Sequence, residues 1–409
     1  MKINPTIQDA AAHESPARTT RLILRLIRSM QPVSRVDLAR RIGVNRSTVT
    51  DISKLLLKAG LVREEAFPSV NEVHSQGRPP IGLSFNDDSD FFVGLNLGVR
   101  HSQVGLTTLS GEILSEIEFE TPSESSEALK LAREKIEQLC ASISGRKLRT
   151  IGVSVPGPTN AERSRLLYAP HLGWHDVAVA DALRFSSGKD ANIPVIVEND
   201  AAAAAMFEAR LKLRESAGGL LSNFILVRSG TGIGVGLVLD NEVYRGAGRA
   251  RGLAGEFGHM TIAAGGKPCV CGNRGCWEKY ASASAASVLY TGDRLRLGNM
   301  KPPRFIEIVE RAEGGEIRAQ RTLEHLGEYL GIGIANVIMG IGVPHVIVSG
   351  RLVYGWKYIE KSLNEAVGKS MVGHLPDWLV ECGEPKGSAI GGALEVAVEE
   401  FLMKGFLAA

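Results

Sequence analysis

The sequence predicts an α/β chain in which a small winged helix-turn-helix head precedes a two-lobed body, and three observations predict it. First, charge is unevenly spread. Residues 1–86 hold 13 Lys/Arg against 7 Asp/Glu, and the remainder holds 34 against 38, although the whole chain is only +2. Second, two short amphipathic stretches meet at Gly43 inside the basic segment. Third, beyond Phe91 strand-like runs alternate with helical ones around two Gly-containing hairpin turns, the pattern of an α/β body. At 409 residues and 44% hydrophobic content the chain can bury a sizeable core in two or three domains. The expected division is 1–86 and 87–409.

In the head, residues 1–17 read as a disordered lead-in. Leu22, Ile23, Leu26 and Ile27 then recur at helical spacing from Thr19 to Met30. Ser34 is placed to cap a helix through Arg41, Gly43 supplies the turn, and Asn45 is placed to cap a second helix to about Lys58, ended by Gly60. Val36, Leu38, Ala39, Ile42, Val44, Val49, Ile52 and Leu56 form the expected core. Two helices joined by a tight Gly turn are a helix-turn-helix. Its second helix would offer Arg46, Ser47, Thr48 and Thr50 to base edges and phosphates in a major groove. LVREEAF and IGLSF read as paired strands completing a winged helix, with GRPP at the tip. Arg78, held extended by the following proline, suits a narrow minor groove, or else belongs to an ordinary turn at a domain boundary.

The body opens with three successive strands, FFVGLNLG, SQVGLTTLS and GEILSEIEFE, and a helix from about Ser123 to Ser144. Strands TIGVSVPG and IPVIVEND follow, then an Ala-rich helix from Ala201. NFILVRSG and IGVGLVLDNEVY form a hairpin around SGTGIG, Ser229–Gly234. Helices run through Gly340, then strand HVIVSG, a helix, strand WLVECG, and a last helix from about Ser388 to Met403.

Cys269, Cys271 and Cys276 form a C-x-C-x4-C array, with His259 ten positions upstream. Three thiolates and one imidazole are the donor set of a tetrahedral structural zinc. Gly272 and Gly275 allow the tight turn that brings Cys276 back to the other sulfurs. Glu256 and Glu278 bracket the array, so a metal pinning this loop could aim both at one polar ligand. Cys140 and Cys382 read as ordinary buried cysteines. There is no apolar signal core at the N-terminus and no run of about 18 uncharged apolar residues, so a cytoplasmic protein without membrane insertion is expected.

The winged helix, IPVIVENDAAAAA, SGTGIG, GEFGH and CVCGNRGCWE together resemble the ROK family of bacterial sugar kinases and sugar-responsive repressors, over about residues 19–400. The resemblance implies an actin/hexokinase-like body of two lobes around a cleft, and one structural Zn2+ per chain on His259, Cys269, Cys271 and Cys276. It further implies that Asn199, Asp200, Glu256, His259 and Glu278 contact sugar hydroxyls, with Gly157 at the edge of the site. Asp200 stands where family kinases keep the catalytic base. His171 replaces the Asn that kinases carry before Gly-Trp; it either reads a different ring substituent or phosphate, or packs at the cleft mouth.

The first hairpin separates kinase from repressor. Family kinases carry Asp-x-Gly-Gly-Thr there. This chain has Asn96, Leu97, Gly98, Val99 and Arg100, so the metal-holding acid and the second Gly are gone. The expectation is therefore a non-enzymatic regulator of carbohydrate-use genes. It would bind double-stranded operator DNA as a homodimer or tetramer and be released by a sugar or sugar phosphate, with Asp200 a vestigial base. Two rival readings are an active sugar kinase with an appended head, and a regulator controlled by docking of a transport protein.

Overall fold

The structure is a computed structural model describing residues 16–66, 81–185, 192–215, 221–247, 252–292, 302–383 and 388–407. The lead-in up to residue 15 and the GRPP tip with Arg78 lie outside the described residues. The first helix, α1, spans Pro16–Met30. It starts three residues before Thr19 because proline is well suited to a first helical turn, where its missing N–H is not needed.

The head continues with β1 (Val33–Ser34), α2 (Arg35–Ile42), α3 (Arg46–Lys58), β2 (Val62–Ala66) and β3 (Ile81–Phe85). Ser34 caps α2, its Oγ accepting from the Asp37 amide at 3.0 Å. Gly43 takes φ 79°, the left-handed conformation that ends α2 at the turn. β2 and β3 pair antiparallel as expected, and β1 adds a short third strand, too brief to show as a pattern in sequence. Seven of the eight expected core positions are buried or half-buried, but Val36 is 47% exposed. It lies in the first turn of α2, before the buried stripe of Leu38, Ala39 and Ile42 begins.

The body begins with β4 (Asp90–Asn96), β5 (His101–Thr107), β6 (Ile113–Glu120), α4 (Ser125–Cys140) and β7 (Lys147–Val155). A small hairpin, β8 (Leu166–Ala169) and β9 (Trp174–Val177), then α5 (Val179–Leu183), leads to β10 (Val195–Asn199). The second lobe holds α6 (Asp200–Glu215), β11 (Phe224–Ser229), β12 (Ile233–Leu239), β13 (Glu242–Val243), α7 (Glu278–Ala281), α8 (Ala283–Thr291), α9 (Phe305–Glu313) and α10 (Ile317–Ile341). Then come β14 (His345–Gly350), α11 (Trp356–Gly368), β15 (Leu379–Cys382) and α12 (Ser388–Leu407).

The two sheets repeat one topology. The first has order β10-β7-β4-β5-β6 and the second β15-β14-β11-β12-β13. In each, the first strand pairs antiparallel with the second and parallel with the fourth. The ends of β4, β7, β10, β11 and β14 open onto one cleft between the sheets, where α/β folds place ligands. α12 returns to the first sheet so closely that a Cβ on Gly152 of β7 would meet the Ala393 carbonyl at 2.3 Å. Cys140 is half-buried and Cys382 is exposed, which corrects the expectation of two buried thiols. Cys382 is the last residue of an edge strand, and it is exposed although Val380, two residues back on the same face, is buried, because packing stops at the strand end.

One core cluster runs without a break from Ile23, Leu26, Leu38 and Leu56 of the head into Phe92, Leu109, Leu213, Val398 and Leu402 of the body. α1 is its spine. The arginines that separate its apolar residues do not face water. Arg28 pairs with Glu395 of α12 in a buried ion pair and donates its Nε to the Leu109 carbonyl at 2.9 Å. Arg210 of α6 shares Glu395 at 2.6 Å. Arg25 holds Glu399 of α12, 2.9 Å from its Nε, and Glu242, 3.3 Å from its Nη2.

Candidate functional site

β10 ends and α6 begins at the cleft, which places Asn199 and Asp200 side by side. Asn199 is the local organiser. Its Oδ1 accepts from the Ala201 and Ala202 amides at 2.9 and 3.1 Å, satisfying orphan donors at the start of α6. Its Nδ2 donates to the Gly157 carbonyl at 3.2 Å and to Glu256 Oε1 at 3.3 Å. Gly157 brings its loop within reach because a Cβ there would meet the Tyr168 carbonyl at 2.0 Å. Asp200 Oδ2 is held by Arg228 Nη1 at 2.5 Å.

Glu256 starts a turn of 3-10 helix, Glu256–His259, after Gly255 at φ 108°. Burial, then the charges of Asp200 and Glu278, push its carboxyl up to about 7. Glu278, 3% exposed, opens α7 and meets His171 Nε2 at 3.3 Å. Burial works to raise its carboxyl, but the hydrogen bond and charge of His171, with smaller contributions from Cys269 and His259, hold it below the usual carboxylate range. Gly232 of the second hairpin makes room for this pair, since a Cβ there would lie 2.3 Å from Glu278 Oε2 and 3.2 Å from His171 Nε2. All seven residues expected at the sugar site border one cleft of about 580 Å³. Carboxylates, an amide and an imidazole around such a space can exchange hydrogen bonds with a ring of hydroxyls.

The four expected metal ligands, His259, Cys269, Cys271 and Cys276, come together with all donor atoms within 4.8 Å of one another, a group that can hold a metal ion. Cys271 and Cys276 sulfurs are 3.7 Å apart, close to the edge of a tetrahedron built on Zn–S bonds of about 2.3 Å. His259 Nδ1 is 3.6 Å from Cys269 Sγ. Burial raises the Cys269 and Cys276 thiols and lowers His259. A cation in their midst would reverse the cost for the thiols, because the thiolate is the form that binds metal.

In the head, Arg46, Ser47 and Thr48 stand exposed on the first turn of α3. Thr50 is half-buried and donates to the Arg46 carbonyl at 2.8 Å. Asn45, the residue before α3, makes no side-chain cap bond and is exposed beside them. Its usual role as a cap concealed it from the sequence reading. Sequence reading also passed over Arg228 and Arg351, which line the cleft with Arg100. Their signal was weak, because strand-end arginines are common and only the fold brings these three to one place.

Among proteins of known identity, a model of the ROK family matches residues 92–397 and a model of the MarR family matches residues 18–69. The xylose repressor of Bacillus subtilis (strain 168) is 30% identical over 360 residues, covering 87% of this chain and 88% of that protein. The crystal structure of a ROK family transcriptional regulator, a homologue of the Escherichia coli MLC protein, superposes with TM-score 0.74 at 27% identity, covering 96% of this chain and 98% of that one. A ROK family glucokinase from Streptomyces griseus, solved with glucose and AMPPNP, gives TM-score 0.61 at 26% identity and covers 75% of this chain and 99% of its own.

Proposed function

The chain belongs to the ROK family, and from that premise we propose that it is a sugar-responsive transcriptional repressor whose head grips operator DNA and whose cleft binds the releasing sugar. One observation carries this reading: a likeness to a repressor over 87% of this chain, which joins an exposed polar α3 N-terminus to a cleft lined by carboxylates, an amide and imidazoles. No described helix is long and apolar enough to cross a membrane.

Residues 1–86 act as the DNA-binding unit and 87–409 as the sensor. Arg46, Ser47, Thr48 and Thr50 face the major groove, Asn45 joins them, and Arg78 reaches the minor groove. Asn199, Asp200, Glu256, His259, Glu278, Gly157 and His171 surround the sugar. His259, Cys269, Cys271 and Cys276 would hold a structural Zn2+, whose chemistry is to fix the loop that carries Glu256 and Glu278. In a homodimer, a sugar bound between the lobes favours one arrangement of the cleft, provided its affinity differs between the two. α6 starts at the cleft with Asp200 and ends beyond Arg210, which shares Glu395 with Arg28 of the head. A shift of α6 or α12 would therefore tilt α1 and mismatch half-sites about one helical turn apart.

Catalysis is not part of this reading. Asn96 and Val99 stand where the resemblance puts an acid and a glycine, and Arg228 holds Asp200 Oδ2, leaving Oδ1 for a sugar hydroxyl. The intact second hairpin and the kinase relatives favour the alternative of a kinase with an added head. A coupled ATP assay decides between them: phosphate transfer above a blank, lost in Asp200→Ala, would establish the kinase. The repressor reading is tested by selecting genomic fragments with the full-length protein, with and without a panel of sugars. A two-fold-symmetric motif lost on sugar addition supports it. Binding that ignores every sugar sinks it.

A further inference from the structure

The cleft has a second half that the hydroxyl-binding residues do not occupy. Arg100 reaches it from the β4–β5 turn of the first lobe, Arg228 from β11, and Arg351 from the residue after β14 in the second lobe. Arg228 spends one nitrogen on Asp200, and its Nε is buried without a hydrogen-bond partner. Arg100 and Arg351 have no ion-pair partner among the described residues. Glu118, the other acid on this wall, accepts from Gln103 at 3.1 Å and lies 3.9 Å from His101 Nδ1, and it makes no ion pair with these arginines. Removal from water, then the charges of Arg100 and Arg228, hold the Arg351 guanidinium below the usual arginine range. Beside them Gly230 follows β11 with no other group within 4 Å of where a side chain would start.

Three like charges gathered on a partly dry wall repel one another unless an anion joins them. We infer that this arginine trio is a phosphoryl site, and that the effector is a sugar phosphomonoester. Its ring lies against Glu256, Glu278 and His171, and its phosphoryl group lies among Arg100, Arg228 and Arg351. Asp200 answers Arg228, which leaves two guanidiniums for a phosphomonoester of about −1.5 to −2 at neutral pH. Guanidinium forks match phosphoryl oxygens in bidentate geometry, and the open space at Gly230 lets the group approach the β11 backbone. A neutral sugar leaves the arginines unanswered. Because Arg100 belongs to one lobe and Arg228 and Arg351 to the other, the phosphoryl group would also tie the lobes together. That gives the ligand the differential affinity that release of DNA needs. The inference rests on the repressor reading and names the chemical class of its effector.

The test uses full-length protein, calorimetry, and binding to its selected operator fragment. The probes are glucose, mannose and N-acetylglucosamine, their three 6-phosphates, inorganic phosphate, and ATP with Mg2+. The expected result is that at least one 6-phosphate binds about 100-fold more tightly than its parent sugar, roughly tenfold for each unanswered arginine, and weakens operator binding. Inorganic phosphate should compete with it. In Arg100→Ala/Arg351→Ala the preference should collapse toward one. Both residues are exposed, and melting curves together with the single Arg100→Gln variant guard against a folding defect. A parent sugar that binds as well as its 6-phosphate and releases DNA overturns this inference and leaves the repressor reading standing. Arginine-dependent binding of ATP in preference to every sugar phosphate also overturns it, in favour of a nucleotide site. Operator binding indifferent to all probes, with no phosphate bound, overturns both.

Discussion

The two lobes share a strand order, yet their corresponding hairpin turns have diverged. The β4–β5 turn of the first lobe carries Val99 and Arg100, whereas the β11–β12 turn of the second still reads SGTGIG. The neighbours explain the difference. Gly232 makes room for Glu278 and His171, and a Cβ on Gly234 or Gly236 would lie 2.8 Å from the Ala201 Cβ or 2.5 Å from the Ala201 carbonyl on α6. These glycines are required by the packing of Glu278, His171 and α6 against the hairpin, whether or not a nucleotide binds. In the first turn only Gly98 is so confined, with the His101 carbonyl 2.2 Å from its missing Cβ. Val99 and Arg100 beside it meet no such limit. Glycine is therefore demanded where its own chain crowds the backbone, and larger residues stand where it does not.

The lobes also differ in what they carry. The first lobe's sheet bears α12 and, through it, the head. Glu395→Ala would leave Arg28, and part of Arg210, buried without a counter-charge. It is expected to cost about 3–5 kcal/mol in urea unfolding, the range for breaking a buried pair. A loss below 1 kcal/mol would mean the head is not anchored there.

In the second lobe the carboxylate cluster leaves its mark in pH. Folding raises the Glu256 carboxyl from 4.5 to about 7, so the folded protein holds that proton more tightly. Its contribution to stability is complete below pH 4.5 and is lost as pH rises through 7. Glu256→Gln keeps an acceptor for Asn199 and should gain up to about 3 kcal/mol over wild type at pH 8, and nothing at pH 4. Equal pH profiles would remove Glu256 from the buried cluster.

The glycine comparison itself predicts a contrast within one motif. Gly236→Ala should destabilise by about 1–3 kcal/mol through overpacking, while Gly230→Ala should stay within about 0.5 kcal/mol. Similar melting temperatures for the two variants would break the argument. The smallest expected effect is in the head. Arg46→Ala should weaken operator binding by about 1 kcal/mol and flatten its salt dependence by about one phosphate contact, measured by fluorescence anisotropy across salt concentrations.

Much of this was legible in the chain. The helix-turn-helix announced itself through Ser34, Gly43 and the spacing of Leu38, Ile42, Val49, Ile52 and Leu56, because local caps and periodicity need no distant partner. The His/Cys group that could hold a metal was legible because its three cysteines lie close together in sequence. Misreadings occurred where context overrides residue type. Val36 is apolar but outward, Cys382 sits on an edge strand, and Asn45 leaves its cap position unbonded.

The sequence by itself determined the order of elements, the basic head, the His/Cys group that could hold a metal, and the Asn96–Arg100 sequence of the first hairpin, all properties of residues near one another in the chain. Only the tertiary structure decided which distant charges meet. It put Arg28 and Arg210 on one Glu395, set Arg228 on Asp200, and gathered Arg100, Arg228 and Arg351 on one wall of the cleft. The reason is physical. Periodicity and capping act over a few residues and leave a trace in spacing, whereas electrostatic neighbours more than a hundred positions apart are chosen by packing of the two sheets, which no local pattern records.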